Sequence, residues 1–123
     1  AKFGDNLADN ACIDEFVQAG GKLMIDHGMD DPLIPTEGTI DYYNKLVRHF
    51  GGKSIVDTFC RLYINPGDNH GNCWGNGPGI TQSAGIKALV DWVEQGGVPD
   101  KIHTVRINSK NGTLLEEGVA SPL

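Results

Sequence analysis

The sequence predicts an α/β fold in which strands and helices alternate and functional groups sit on the loops that follow the strands. Three observations predict it. Residues 22–27 and 58–64 are short apolar runs bounded by glycine, proline and aspartate, as buried strands are. Residues 35–50 and a run from residue 81 or 82 to about 93 carry apolar side chains at helical spacing. Each strand-like run ends in a turn-rich loop, the first acidic and the second holding a histidine. The order is therefore strand, acidic turn, helix, strand, histidine loop, helix.

Residues 1–10 are polar and read as a surface lead-in. Asp9 or Asn10 can cap a helix through Ala19, with Ile13, Phe16 and Val17 on one face and Gly20 ending it. Cys12 on that helix reads as a small packed residue. The first strand follows Gly20-Gly21. Within it, His27 reads as a strand-end histidine bonded to backbone, and Asp26 has no assigned chemistry. In the next helix Ile40, Tyr43, Leu46, Val47 and Phe50 form a core stripe closed by Gly51-Gly52. Residues 53–57 read as a connector. After the second strand and its loop, Ile86, Leu89, Val90 and Val93 are expected to face the sheet, with Trp92 also packed. Residues 102–107 alternate weakly, as an edge strand does. Asn111-Gly112 signals a two-residue hairpin before residues 113–115, and with Thr113 forms an N-glycosylation sequon.

The chemistry concentrates on two loops. Residues 66–79, PGDNHGNCWGNGPG, hold five glycines and two prolines in fourteen positions, which excludes regular structure and lets backbone approach a ligand. His70 lies in the middle, and imidazole is the side chain suited to moving protons near neutral pH. A lone loop histidine is more often idle than catalytic. The first strand, however, ends in Gly28-Met29-Asp30-Asp31-Pro32. In an open parallel sheet the carboxyl ends of the strands share one edge, where ligands bind. A carboxylate after one strand and a histidine after the next would meet there, as the acid–base half of a nucleophile–histidine–acid triad.

Longer motifs make this specific. Gly20-Gly21-Lys22-Leu23, then His27-Gly28 and Asp31-Pro32-Leu33-Ile34-Pro35, then Gly38-Thr39-Ile40-Asp41-Tyr42-Tyr43 resemble the tannase and feruloyl esterase family. So do Arg61-Leu62-Tyr63 leading to Pro66-Gly67 and His70, then Gly77-Pro78-Gly79, Ala88 to Glu94, and Pro99-Asp100. The resemblance covers about residues 16–106, and the chain looks like roughly the C-terminal quarter of a member. It implies a single partial domain over residues 1–123, the C-terminal portion of an α/β-hydrolase sheet with its nucleophile-bearing part absent. By position in the family motif, Asp31 rather than Asp30 is the triad acid, and His70 the base. The resemblance further implies a small-molecule ester of a hydroxylated aryl acid as substrate and no cofactor. It also implies the N-terminal remainder of the same hydrolase as partner, and a secreted or periplasmic location. Trp74, beside Cys73 and His70, reads equally as packing or as part of the substrate cleft.

Two departures stand out. Family members usually carry a cysteine directly after the histidine, disulfide-bonded to one before the nucleophilic serine. Here Gly71 and Asn72 intervene before Cys73, so that bridge is missing or shifted. No Gly-x-Ser-x-Gly or Cys-Ser-x-Gly-Gly occurs, and Ser54, Ser83, Ser109 and Ser121 all lie outside any strand-turn-helix elbow.

Composition bounds the alternatives. A chain of 123 residues, 39% apolar and 21% charged, is long enough for one modest core. A net charge of −6 argues against nucleic acid or an anionic membrane as partner. No apolar run approaches the ~20 residues of a membrane helix, and no signal peptide is visible at Ala1. Three cysteines, Cys12, Cys60 and Cys73, allow a bridge outside the chain. A metal site built from Asp31, His70 and Cys73 mixes hard and soft ligands at irregular spacing, so no metal is expected. The rival to an esterase is an inert fragment or a structural subunit.

Overall fold

The computed structural model describes residues 8–123. Most of the expected lead-in at residues 1–10 falls outside them. Helix α1 (Asp14–Gln18) precedes strand β1 (Leu23–Gly28), then helix α2 (Thr36–Phe50) and the short helix α3 (Lys53–Val56). Strand β2 (Cys60–Asn65), helix α4 (Gln82–Gln95), and strands β3 (Ile102–Ile107) and β4 (Leu114–Ala120) complete the order. Strands β1 and β2 pair in parallel, with Leu23 opposite Cys60 and Gly28 opposite Asn65. Their carboxyl ends therefore lie side by side. Strands β3 and β4 form a separate antiparallel hairpin, tied to the loop after β2 by a bridge between Gly79 and Val105.

Alternation along the strands sorts side chains onto two faces. On one, Cys60 and Leu62 of β2 pack with Tyr43 and Leu46 of α2, Val56 of α3, and Phe59, while Leu23 and Ile25 of β1 join from the side. The buried Tyr43 hydroxyl donates to Asp57 Oδ1 at 2.6 Å, so its polar end is paired. On the other face Tyr63, Ile80 and Ile102 pack with Met24 and with Ala84 and Ala88 of α4. The helix ends obey local chemistry. Gly51 closes α2 at φ 89°, and the Thr81 hydroxyl accepts the Ala84 amide at the start of α4.

Several local expectations are corrected. The first helix spans only Asp14–Gln18, because Asn10 Oδ1 accepts the Cys12 amide in a turn rather than capping a longer helix. The connector at residues 53–57 contains helix α3. In α4 Trp92 is buried as expected and Leu89 is half-buried, with Ala84 and Ala88 turned inward, whereas Ile86, Val90 and Val93 are exposed. The hairpin is not a two-residue turn. Gly112 has φ 70° and no positive φ occurs at Asn111, so the type I′ geometry is absent. Gly112 N–H donates to Asn108 O and Asn108 N–H to Thr113 O in a wider loop.

Candidate active site

The end of β1 and the loop after β2 are held together by backbone. Met29 N–H donates to Asn65 O at 3.0 Å and Asp30 N–H to Asp68 O at 2.9 Å. Gly28 is required at this crossing, since a Cβ there would lie 2.2 Å from Asn69 O. The parallel register and this close approach bring Asp31 to His70, 39 positions apart in sequence.

His70 Nδ1 lies 2.8 Å from Asp31 Oδ2. The two partners differ in exposure: the Asp31 side chain is 4% exposed and that of His70 55%. Asp31 Oδ1 accepts the amides of Leu33 at 2.8 Å and Ile34 at 3.0 Å, an Asx turn fixed by the Pro32 loop. Burial acts to raise the Asp31 pKa, but the His70 ring and the Ile34 and Leu33 amides outweigh it and hold the carboxyl well below the usual carboxylate range. Nδ1 of His70 is thereby tied to an ionised acid, and Nε2 is left to act on whatever occupies the cleft. An open cleft of about 280 Å³ is lined here by Asp26, His27, Asp31, Ile34, Thr39 and His70, with Gly28 and Gly71.

Asp30 is placed differently. Its Oδ2 meets only Asn76 Nδ2, at 3.4 Å. Trp74 is half exposed and is not part of the cleft lining. Cys73 is buried in the left-handed region at φ 60°, its amide donating to Asp68 Oδ1 at 3.1 Å. Cys12, Cys60 and Cys73 are all unbridged. None of Ser54, Ser83, Ser109 and Ser121 lines the cleft. Among the described residues no group of three or more His, Cys, Asp or Glu side chains is arranged to hold a metal ion. Nor, among them, is any helix long and apolar enough to cross a membrane.

Two carboxylates near the site carried no signal in the sequence. Asp68 is fully buried; Oδ1 takes the Cys73 amide, while Oδ2 has no hydrogen-bond partner. Burial pushes its pKa up, against the Asn69 and Cys73 amides. Asp26 bonds to Asn65 Nδ2 across the register. The residue as a whole is open at the sheet edge, but the crowding of its carboxyl group pushes it up to about 6, with Asn65 opposing and Asp68 adding to the shift. His27 was expected to bond backbone and does so, with Nε2 3.1 Å from Ile34 O. The same nitrogen also lies 3.2 Å from Asp31 Oδ2, which strand position alone does not reveal.

Comparison with known proteins agrees with the motifs. The family described as tannase and feruloyl esterase matches residues 7–121. A probable feruloyl esterase of Arthroderma benhamiae is 34% identical over 102 residues, covering 80% of this chain and 18% of the relative. A mono(2-hydroxyethyl) terephthalate hydrolase of Piscinibacter sakaiensis is 40% identical over 87 residues, covering 71% and 13%. Among solved structures, feruloyl esterase B from Aspergillus oryzae superposes with a TM-score of 0.74 at 26% identity, over 92% of this chain and 24% of that one. Tannin acyl hydrolase from Aspergillus niger gives 0.73 at 25% identity, over 89% and 21%. The chain thus spans less than a quarter of the length of each of these relatives. The fold is of the α/β-hydrolase type shared by these esterase structures, and the chain belongs to the tannase and feruloyl esterase family of carboxylic ester hydrolases.

Proposed function

We propose that this chain supplies the acid and the base of a Ser-His-Asp triad in an esterase acting on hydroxylated aryl-acid esters. The observation that carries the proposal is the 2.8 Å contact between His70 Nδ1 and Asp31 Oδ2, with the acid buried and the base facing an open cleft. A serine hydroxyl is a poor nucleophile until a neighbouring base takes its proton. His70 Nε2 is that base and later returns the proton to the departing alcohol. Asp31 fixes the Nδ1–H tautomer and stabilises the imidazolium as it forms, while remaining ionised itself. The nucleophile and the oxyanion hole come from polypeptide preceding this region, and each oxyanion donor is worth about 2.7–4 kcal/mol in a comparable enzyme. The galloyl, feruloyl or related aryl group follows from the family alone, as does an extracytoplasmic location. A pairing of Cys73 with a cysteine in the preceding polypeptide is part of the same proposal.

The competing reading, an inert fragment or structural subunit, is favoured by the absence of an elbow serine from these 123 residues. Native, non-reducing mass spectrometry separates the two. A second chain bearing a reactive serine, bound or released on reduction, supports the esterase. A monomer that no added hydrolase fragment activates supports the inert fragment. The purified 123-residue chain should cleave gallate or ferulate esters no faster than free histidine. Substantial activity abolished by a serine-directed inhibitor would move the nucleophile into this chain.

A further inference from the structure

His27 is a third side chain at the Asp31 carboxylate, and the acid–base pair alone does not explain its arrangement. It projects from β1 toward α2, and its side chain is 9% exposed. Nε2 lies 3.2 Å from Asp31 Oδ2 and 3.1 Å from Ile34 O. Nδ1 lies 2.6 Å from the Thr39 hydroxyl. Both groups facing Nε2 are acceptors, so the proton belongs on Nε2, and the Thr39 hydroxyl donates to Nδ1.

An ionised carboxylate offers about four lone-pair sites. At Asp31, Oδ1 takes the Leu33 and Ile34 amides and Oδ2 takes His70 Nδ1–H, while His27 Nε2, whose hydrogen bond goes to Ile34 O, stands 3.2 Å from Oδ2. The two amides fix one oxygen but leave the carboxylate free to rock about them. A buried ring beside Oδ2, anchored at both nitrogens by Ile34 O and the Thr39 hydroxyl, removes that freedom.

We propose that His27 is a positioning residue: its ring, donating Nε2–H to Ile34 O and held by the Thr39 hydroxyl, locks the turn whose amides grip Asp31 Oδ1 and stands against Oδ2, so that Oδ2 stays aimed at His70 Nδ1. The proposal rests on the reading of Asp31 and His70 as an acid–base pair. Thr39 belongs to the same device, because its hydroxyl selects the His27 tautomer that can donate.

The test is imidazole ¹H–¹⁵N correlation NMR on the full ¹⁵N-labelled chain, in alkaline solution where both rings are neutral. The expected wild-type spectrum shows His27 as the Nε2–H tautomer and His70 as Nδ1–H. In His27→Leu the Nδ1–H form of His70 should fall from dominant to minor. His27→Gln, whose amide nitrogen reaches the position of Nε2, should restore it. Thr39→Val keeps the ring in place and covers the case in which His27→Leu fails to fold; it should yield mixed His27 tautomers and a weakened Nδ1–H bias at His70. A wild-type His27 protonated on Nδ1, or a His70 tautomer indifferent to His27→Leu and Thr39→Val, overturns the positioning role. A wild-type His70 protonated on Nε2 instead overturns the acid–base pair itself, so the two failures are distinguishable without turnover.

Discussion

The turn after β1 and the loop after β2 each enclose a nearly inaccessible aspartate, and the two aspartates are treated in opposite ways. Asp31 meets three donors, the Leu33 and Ile34 amides and His70 Nδ1–H, and its carboxyl is held well below the usual carboxylate range. Asp68 has one amide on Oδ1, nothing on Oδ2, and a pKa pushed up by burial. The difference shows that burial alone does not set the direction of a carboxylate's pKa shift; converging donors oppose it. The first acid lines the cleft and can orient a base. The second is buried within the loop that carries that base, where it ties Cys73 in place.

The largest effect expected from this contrast is on activity. In an enzyme containing this chain, Asp31→Asn should lower kcat by about 10⁴-fold, as loss of the orienting acid does in a well-studied protease. Steady-state hydrolysis of a ferulate or gallate ester measures it, and a loss below tenfold would remove Asp31 from the role. Next comes the packing of the loop. A Cβ at Gly79 would lie 2.0 Å from Asp68 Oδ2, so Gly79→Ala should cost roughly 1–3 kcal/mol, read from the urea midpoint. An unchanged midpoint would show that Asp68 can swing away and is not fixed by its burial.

A pH experiment sharpens the comparison further. Asp26, beside Asp68, has a folded-state pKa of about 6 against an unfolded value of 3.8. Between those values the unfolded chain releases the proton first, so stability falls as pH rises. Asp26→Asn keeps the acceptor facing Asn65 and should flatten that decline between about pH 4 and 6. Thermal melts of both proteins across this window should diverge as pH increases; parallel curves would place the titration elsewhere. The smallest effect is expected at Asp30, whose single partner is a 3.4 Å contact with Asn76. Asp30→Asn should leave kcat within about twofold, since so long a contact is a weak hydrogen bond. A fall matching that of Asp31→Asn would exchange the roles of the two acids.

How much of this was legible depended on whether the signal was local. The ends of β1 and β2, the α2 stripe through Tyr43 and Leu46, and the meeting of the acidic turn with His70 follow from short-range pattern and the parallel connection, whereas the choice of Asp31 over Asp30 came from the family motif. The orientation of α4 did not follow. It too carries apolar side chains at helical spacing, yet Ile86, Val90 and Val93 are exposed while Ala84 and Ala88 pack. Periodicity shows that a helix has a face to bury, not which element buries it. Likewise Asn111-Gly112 marks a turn, but the loop from Asn108 to Thr113 sets its width.

The sequence by itself determined the alternation of strands and helices, the glycine-rich loop around His70 and the acidic turn that faces it, because each is written in neighbouring residues. Only the tertiary structure decided that His27, held by Thr39 and Ile34, stands beside Asp31, that Asp68 is buried with one oxygen unpaired, and that Trp74 stands outside the cleft. Those facts depend on distances between loops brought together by the β1–β2 register and by the approach at Gly28. A side chain's environment is set by such long-range crossings, and spacing along the chain does not encode them.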